Sequence, residues 1–398
     1  MMAPQESPTT RFGRGELIWG DDAQEWWGRM GRGEPVIEHH RGVMVTSPKA
    51  VDYVLHHPEL FSSGPDAGFL GSPTGLIPLQ VDPPDHARYR RLLDPLFGPR
   101  RMAALEPEVV ALANRLIDGF IEGGCCDFCP DVALPLPSGT FLRLMGLPLS
   151  DLAEFTRVKD AMIRPPTRHV EEANRMRAEA AGWVFDYYNA ALDERRSDPT
   201  DDILGHLARY ENEGTLTRDE TLNISFLLLV AGLDTVTDTL ECSFAFLARH
   251  PDHQRQLVRD PSLVPTAVEE LLRWETPVPN IARVATADAE LEGCPVRQGQ
   301  QVGVLLGSTN VDPGIFPDPT TVDFTRESLR HFAFGAGVHR CLGSHLARVE
   351  LRAVLREWHR RIPEYRLADG HVVKYRPALR EIASLPLVFT PGRREGGG

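Results

Sequence analysis

The stretch from Arg218 to Arg249 constrains the fold of this 398-residue chain more than any other. It predicts a single helix that, at about 1.5 Å per residue, is about 48 Å long. Thr217 and Glu220 have the spacing of a capping box, which marks the first turn of a helix. The middle of the stretch, residues 226–232, is apolar on every side, as is typical of a helix buried all round. A helix of this length has to cross the whole molecule, so we expect the other elements to pack around it.

The rest of the sequence predicts a mainly α-helical protein with a small β region. Helical periodicity recurs over residues 101–121, 152–162, 170–195, 264–274 and 342–361. Strand-like alternation is found towards both ends of the chain, at residues 36–46, 302–304 and 385–388. Because no internal segment has the composition of a flexible linker, we expect one domain over residues 1–390 and a disordered tail over residues 391–398.

Composition argues against several classes of protein. The net charge of −13 opposes nucleic-acid binding, which needs clustered Lys and Arg to displace counterions from phosphates. The first 14 residues lack the apolar centre of a signal peptide. Apolar runs also fall short of the roughly 18 residues that span a membrane, so we expect a cytoplasmic protein without a membrane partner.

The six cysteines are too few for a disulfide framework in a chain of this length. Three of them are clustered at Cys125, Cys126 and Cys129. Structural zinc normally needs four ligands, and the chain offers no second cluster of this kind. We therefore interpret the cluster as part of a strand-forming segment.

The run from Phe334 to Gly343 places Cys341 in a glycine-rich turn directly before a helix. Backbone N–H groups at the start of that helix, together with His339 and Arg340, should lower the pKa of the thiol and make it a good ligand for a soft metal. Phe334 should cover the sulfur. Three glycines permit positive φ and the close approach of a flat ligand: Gly335, Gly337 and Gly343. The alternative for a lone cysteine is a small buried hydrophobe.

Polar residues follow the apolar middle of the long helix. Thr235 lies four residues after Ala231, so its hydroxyl can bind the Ala231 carbonyl and loosen the helix. Gly232 has no side chain to fill the resulting groove, which would fit dioxygen. Asp234 can pass protons into this groove from outside. The alternative is structural: a buried acid paired with an arginine, and a threonine that satisfies its own backbone.

Together these patterns resemble the cytochrome P450 family over nearly the whole chain. The spacing Phe-x-x-Gly-x-His-x-Cys-x-Gly is similar to the haem-ligand signature of the family, and Ala-Gly-x-Asp-Thr is similar to its oxygen-activating segment. The C-terminal half is most similar to the camphor-hydroxylase branch. The resemblance implies the P450 fold, with the long helix crossing over haem b. It also implies Cys341 as the axial ligand of the iron, and Asp234 and Thr235 as catalytic residues that deliver protons.

The resemblance assigns roles to further residues whose own signal is weak. Glu270, Arg273 and Arg326 match a buried structural lock, although a Glu-x-x-Arg pair alone occurs on many exposed helices. The residues that match partners of the haem propionates are His86, Arg90, Arg283 and His339. The residues that match other haem contacts are Ala231, Gly232, Phe334, Gly335 and Gly343. The residues that match the substrate pocket are Thr74, Leu227, Ala231, Val278, Ile281 and Leu379.

The implied activity is hydroxylation of a small molecule with O2 and two electrons from NAD(P)H. The sequence contains no flavin domain, dinucleotide-binding glycine motif or iron–sulfur spacing, so we expect a separate ferredoxin and ferredoxin reductase. An acidic ferredoxin should dock at Arg88, Arg91 and Arg340. The enzyme is expected to be a monomer.

The pocket residues are mainly apolar and carry no fixed charge, which favours a compact, terpenoid-like substrate. A steroid or another larger substrate is the alternative within this activity. Two other functions are also alternatives. A peroxide-driven peroxygenase is disfavoured by the Asp234–Thr235 pair, and a haem sensor or carrier without turnover is disfavoured because neither a second haem ligand nor an output domain is visible.

Overall fold

The computed structural model describes residues 20–39, 41–67, 75–163, 165–167, 169–327, 330–376 and 380–395. Its architecture is mainly α-helical with small sheets, as predicted. The helices are α1 (Ala23–Arg32), α2 (Pro48–His56), α3 (Asp85–Leu93), α4 (Pro99–Ala104), α5 (Glu106–Asp118), α6 (Pro135–Met145), α7 (Leu152–Ile163), α8 (Val170–Ser197), α9 (Ile203–Asn212), α10 (Arg218–Leu233), α11 (Thr235–Arg249), α12 (Pro251–Arg259), α13 (Val264–Glu275), α14 (Leu306–Asn310) and α15 (Ser344–Arg361). The strands are β1 (Val36–His39), β2 (Gly42–Val45), β3 (Phe61–Ser62), β4 (Cys125–Asp127), β5 (Asn280–Ala285), β6 (Ala289–Leu291), β7 (Cys294–Val296), β8 (Gln301–Leu305), β9 (Tyr365–Leu367), β10 (Tyr375–Arg376), β11 (Glu381–Ile382) and β12 (Pro386–Phe389).

The long central helix is present but is interrupted once. It consists of α10 and α11, which meet at Asp234. The capping box is formed as the spacing predicts, since Thr217 N–H donates to Glu220 Oε2 at 2.8 Å and Glu220 N–H donates to Thr217 Oγ1 at 3.2 Å. In the described parts of the chain, Arg218–Arg249 is the one helical stretch long and apolar enough to cross a membrane. Because 72% of the most apolar part of this stretch is buried inside the protein, we interpret it as a core helix.

Most of the long helices lie where the sequence periodicity predicts them, but one predicted helix is divided in two. The helix predicted over residues 101–121 is two helices, α4 and α5, which meet at Leu105. Pro107 near the start of α5 has no N–H to donate, so the first helix cannot continue through it. Short helices such as α6, α9 and α12 were not predicted.

Two sheets join distant parts of the chain. In the larger sheet the strand order is β1-β2-β8-β5-β3, and β2 pairs with β8 in parallel, from Gly42 opposite Gln301 to Val45 opposite Val304. In the second sheet β12 lies between β4 and β9, with Leu387 opposite Cys126. The strand interpretation of the cysteine cluster is therefore confirmed for Cys125 and Cys126, but it is wrong for Cys129, which begins a helical turn over Cys129–Ala133. Burial raises the pKa of the Cys129 thiol, as suits a structural cysteine.

A buried ion-pair network holds the segment that precedes the cysteine turn. Arg273 makes two hydrogen bonds of 2.7 Å to the Glu270 carboxylate, and both side chains are 0% exposed. Arg326 Nε approaches the same carboxylate at 3.3 Å. Arg273 also donates to the carbonyls of Asn310 and Pro319, at 2.7 and 2.9 Å. The three residues of the expected lock therefore meet, and they fix the chain between α14 and the cysteine turn.

The start of the C-terminal tail lies against the protein. Gly392 N–H donates to the Ile121 carbonyl at 3.0 Å, and Glu395 pairs with Arg360. Residues 391–395, which were predicted to belong to a disordered tail, thus have specific contacts. Residues 396–398 lie outside the described residues.

Candidate active site

The turn before α15 presents Cys341 in a defined backbone conformation. Cys341 N–H donates to the Phe334 carbonyl at 2.9 Å, which closes the loop. Gly335 and Gly337 have φ values of 64° and 67°, so both adopt the left-handed conformation that the sequence predicts. A Cβ atom at Gly337 would lie 2.0 Å from the Leu55 carbonyl oxygen, so this position accepts no side chain.

Gly343 differs from the prediction. Its φ is −79°, which any residue can adopt, so the glycine is not needed for backbone conformation. A Cβ atom there would meet nothing within 4 Å, and the same holds at Gly335. Both glycines therefore leave open space beside Cys341, where a flat cofactor can approach the backbone.

The predicted direction of the Cys341 pKa is wrong. Burial raises the pKa of the thiol, and this effect outweighs the Gly343 N–H, which donates to the sulfur, and the cations Arg340 and Arg90. The groups that favour a thiolate are present as predicted, but desolvation of the charge is the larger effect. A bound metal ion would reverse this outcome, because a coordinating thiol is deprotonated by the metal itself.

Cys341 also has an accessible side chain despite this burial. A thiol that is surrounded by protein and yet has accessible surface faces an internal space. Leu342, the next residue, packs against the hydrophobic cluster that contains Leu229 and Leu233 of α10. The cysteine turn therefore packs, through Leu342, on the same hydrophobic cluster as the central helix.

The interruption of the central helix coincides with a series of threonines. Thr235 Oγ1 donates to the Ala231 carbonyl at 3.2 Å, the contact that the spacing predicts. Thr237 and Thr239 make the same type of bond, to the carbonyls four residues earlier, at 2.8 and 2.6 Å. Such bonds compete with the backbone ladder and bend helices. Ala231 is exposed although Val230 and Leu233 are buried, so the helix is not buried all round as predicted, and its open face includes Ala231 and the half-buried Thr235.

Gly232 has a different role from the predicted one. A Cβ atom on Gly232 would lie 3.2 Å from Cδ2 of Phe141 in α6. The glycine therefore allows α6 to pack closely against the central helix, and it does not open a groove on that side. The open side of the helix is that of Ala231 and Thr235.

Asp234 is buried and forms an ion pair with a residue that the sequence analysis missed. Lys159 Nζ in α7 lies 2.6 Å from Asp234 Oδ1, and both side chains are 3% exposed. Burial lowers the pKa of Lys159, but the attraction of the Asp234 carboxylate outweighs it and the pKa is raised. Lys159 occupies the same buried face of α7 as Phe155 and Met162. A lysine on the apolar face of an amphipathic helix is the signal that would have identified this partner.

Two histidines predicted to bind the haem propionates lie together beside the cysteine turn. The rings of His86 and His339 are 4.2 Å apart, and the buried Nε2 atom of each has no hydrogen-bond partner among the described residues. Burial, together with the positive charges of the nearby His86 and Arg283, lowers the pKa of His339 to about 3. Two buried donors without acceptors, in positive surroundings, fit a group with two carboxylates.

The two arginines of this set are placed differently. Arg283 is 7% exposed, and burial lowers its pKa to about 10, so an anion beside it would be strongly favoured. Arg90 donates to Asp94 at 2.7 Å and to the Arg340 carbonyl at 2.9 Å. Arg90 thus supports the cysteine turn, and its positive charge contributes to the lowered pKa values of His86 and His339, which burial lowers most. The residues present therefore fit a haem.

Part of the predicted substrate pocket can be placed. Leu227 is buried in α10, one turn before Ala231. Val278, two residues before β5, and Ile281 in β5 are half-buried. Thr74 and Leu379 lie outside the described residues.

Arg88 is not a free docking cation. It makes hydrogen bonds of 2.8 and 2.9 Å to the Glu220 carboxylate and donates to the Thr215 carbonyl at 2.7 Å. These contacts join α3 to the first turn of the central helix. Arg91 and Arg340 are exposed, as a docking surface requires.

Comparisons with known proteins agree with this site. The profile of the cytochrome P450 family matches residues 143–359, more than half of the chain. The steroid C26-monooxygenase of Mycobacterium tuberculosis (strain ATCC 25618 / H37Rv) is 34% identical over 97% of this chain and 98% of its own. The crystal structure of CalO2 has a TM-score of 0.87 at 30% identity, with 94% of this chain and 98% of that chain covered. CYP109E1 from Bacillus megaterium, in complex with testosterone, has a TM-score of 0.84 at 26% identity, with 97% and 100% covered.

The chain therefore belongs to the cytochrome P450 family. It is a P450 monooxygenase, which uses haem b, O2 and electrons that redox partner proteins pass on from NAD(P)H. The family, the fold class, the type of enzyme and the cofactor predicted from the sequence are confirmed.

Proposed function

We propose that Cys341 is the axial ligand of the haem iron. The observation that carries this proposal is the position of its sulfur, which accepts the Gly343 N–H and faces an internal space, in a turn that packs on the same hydrophobic cluster as the central helix. When bound, the haem supplies the iron on which O2 is activated for insertion of one oxygen atom into a C–H bond. Of the six cysteines, Cys126, Cys129 and Cys242 are buried, whereas Cys341 alone lies in the glycine-rich turn.

His86, His339 and Arg283 bind the two haem propionates in this proposal, and Arg90 holds the turn beside them. The two buried Nε2 atoms support it, since each gains an acceptor when a propionate is in place. A bound carboxylate also offsets the mutual repulsion that lowers the pKa of His339. The cofactor and these side chains therefore stabilise each other.

Asp234 and Thr235 hold and move protons at the open face of the central helix. Thr235 uses its hydroxyl proton on the Ala231 carbonyl, so its oxygen is left to accept a hydrogen bond from a group in the internal space. Asp234 is held by Lys159 one residue before that hydroxyl. The ion pair keeps a carboxylate available in a buried position, where an isolated charge would be unstable.

The substrate is a neutral, mainly apolar molecule, and we propose a terpenoid-like compound. The described pocket candidates Leu227, Val278 and Ile281 are apolar. Of the buried charges near them in sequence, Asp234, Arg273 and Glu275 have ion-pair partners, and Arg283 is assigned to a haem propionate in this proposal. A substrate carboxylate would find no free cation among these residues and would be costly to desolvate. Each buried CH2 group of a neutral substrate gains about 0.8 kcal/mol.

A steroid is the second candidate, and the comparisons favour it. The relative that aligns over 97% of this chain is a steroid C26-monooxygenase, and one similar structure holds testosterone. Steroids share the neutral, apolar character that the pocket residues require. The two candidates differ in size rather than in chemistry.

The redox partner in this proposal is a ferredoxin, reduced by an NAD(P)H-dependent reductase. Arg340 lies in the cysteine turn, Arg91 follows Arg90, which contacts that turn, and both exposed side chains carry the positive charge that an acidic ferredoxin requires. We expect the protein to work as a monomer in the cytoplasm.

A substrate screen on the purified ferric protein tests this proposal. Monoterpenoids, sesquiterpenoids, steroids, fatty acids and aromatic acids are titrated while the low-spin to high-spin change of the haem spectrum is measured. We expect neutral terpenoids or steroids to give the shift, and Ala231→Leu to weaken it because the larger side chain enters the internal space. Ala231→Gly is the matched control and should retain binding. A shift given by fatty acids or aromatic acids alone would contradict the neutral pocket.

A further inference from the structure

Two adjacent glutamates of α13 bind different partners. Glu270 forms the buried lock with Arg273 and Arg326. Glu269 accepts two hydrogen bonds of 2.7 Å from Arg348 in α15 and lies 3.2 Å from His331 Nε2. The Glu269 and Arg348 side chains are 17% and 18% exposed, so water screens this pair much less than an ordinary surface pair.

Arg348 in turn lies on the side chain expected to cover the cysteine. Its guanidinium carbon is 4.5 Å from the centre of the Phe334 ring, a cation–π contact. The Phe334 carbonyl accepts the Cys341 N–H at 2.9 Å. A continuous series of contacts therefore runs from Glu269 through Arg348 and Phe334 to the cysteine turn.

We propose that Glu269 is a positioning residue that sets the electrostatic potential at the Cys341 thiolate. It fixes the Arg348 guanidinium on the Phe334 ring and offsets its positive charge. The inference rests on the proposed role of Cys341 as the haem ligand. It adds a charge pair outside the haem contacts that adjusts the reduction potential of the iron.

The sign of the effect follows from simple electrostatics. Reduction of the iron adds one negative charge to the haem–thiolate centre, and a nearby positive charge favours the more negative state. With Glu269 in place, the Arg348 charge is largely offset. Without the Glu269 carboxylate, the guanidinium is left uncompensated, and the ferrous state gains stability relative to the ferric state.

A double-mutant cycle tests the proposal. The reduction potentials of haem-loaded wild type, Glu269→Gln, Arg348→Met and the double variant are measured by spectroelectrochemistry. We expect Glu269→Gln to shift the potential to more positive values, so that at a fixed applied potential the ferrous-to-ferric ratio rises several-fold. Arg348→Met should shift it to more negative values. The double variant should lie much closer to wild type than Glu269→Gln does, because both charges of the pair are removed together, while Arg352, 3.8 Å from Glu269, keeps its charge.

The matched control is Glu106→Gln. Glu106 at the start of α5 pairs with Arg356 of α15 at 2.9 Å. Arg356 lies about two turns beyond Arg348 on α15, and its pair with Glu106 is more exposed than the Glu269–Arg348 pair. This variant should leave the potential unchanged. Equal potentials in all variants, or a double variant shifted at least as far as Glu269→Gln, would overturn the inference, since disturbed packing does not cancel in this way.

The ferrous carbon-monoxide spectrum separates this inference from the proposed function. A far-red band in every variant, together with unshifted potentials, refutes the role of Glu269 and leaves Cys341 as the ligand. Persistence of that band in Cys341→Ser refutes the ligand assignment and the inference with it.

Discussion

Replacing Lys159 with methionine measures what the buried ion pair with Asp234 contributes. The two charged atoms are 2.6 Å apart, and each side chain is 3% exposed, so neither charge is well solvated. Methionine retains the apolar chain of Lys159 and removes its charge. Loss of one partner of a buried ion pair costs about 3–5 kcal/mol, because the remaining charge stays in a poor solvent. We therefore expect Lys159→Met to lower the free energy of unfolding by about 3–5 kcal/mol at pH 8.

The assay is guanidinium-induced unfolding of the haem-loaded protein, followed both by haem absorbance and by tryptophan fluorescence. Arg157→Met is the control, because Arg157 and Glu154 form a pair on the same helix with side chains 64% and 42% exposed. Such an exposed pair contributes little to stability, because water screens both charges. Asp234→Asn added to Lys159→Met should restore much of the lost stability, since an amide needs no opposite charge.

The pH dependence has a definite sign. Because the pKa of Lys159 is raised, the stability that its ammonium contributes is present below its unfolded pKa of about 10.4 and is lost as the pH rises through the higher folded value. Wild type and Lys159→Met should therefore converge in strong alkali. A Lys159→Met variant as stable as Arg157→Met at pH 8 would refute the reasoning.

Four further predictions concern the site and its surroundings. Cys341→Ser should lose the far-red ferrous carbon-monoxide band that thiolate ligation gives, and absorption spectra of the reduced protein check this. Thr235→Ala should still bind substrate and consume NADH but divert reducing power to hydrogen peroxide, so unchanged coupling of NADH to product would contradict its role. Arg88→Glu should lower the free energy of unfolding near neutral pH, and its difference from wild type should shrink as the pH falls from about 4.5 towards 2, because the partner Glu220 has a pKa lowered to about 2 and loses its stabilising charge over that range. Because Arg88 joins α3 to the central helix rather than to a partner, the variant should slow ferredoxin-driven and dithionite-driven reduction alike. Arg91→Glu should slow the ferredoxin-driven reaction alone.

Much of the site could be predicted from local sequence signals. The turn at Gly335 and Gly337 was predictable because positive φ is a local property that glycine allows at little cost. The Thr235 bond to Ala231 follows from a spacing of four residues in a helix. The lock around Glu270 could be predicted only from the resemblance to the family, because a Glu and an Arg three residues apart are common on exposed helices.

Other properties depend on contacts between distant segments. Lys159 and Asp234 are 75 positions apart, and their pairing depends on how α7 crosses the central helix. The packing of Phe141 against Gly232 is of the same kind. The direction of the Cys341 pKa was misjudged because the stabilising groups are near in sequence, whereas the larger desolvation effect comes from the whole surrounding structure.

The parallel pairing of β2 with β8 has a consequence for synthesis of the chain. Gly42–Val45 pair with Gln301–Val304, so the β1–β2 hairpin leaves the ribosome long before its partner strand. At about 5–20 residues per second, β8 follows roughly 10–50 s later. During that interval one edge of β2 presents unpaired N–H and C=O groups, to which a strand from another chain can add. We therefore expect aggregation of the nascent protein through this edge to end once translation has passed residue 305 and β8 pairs with β2.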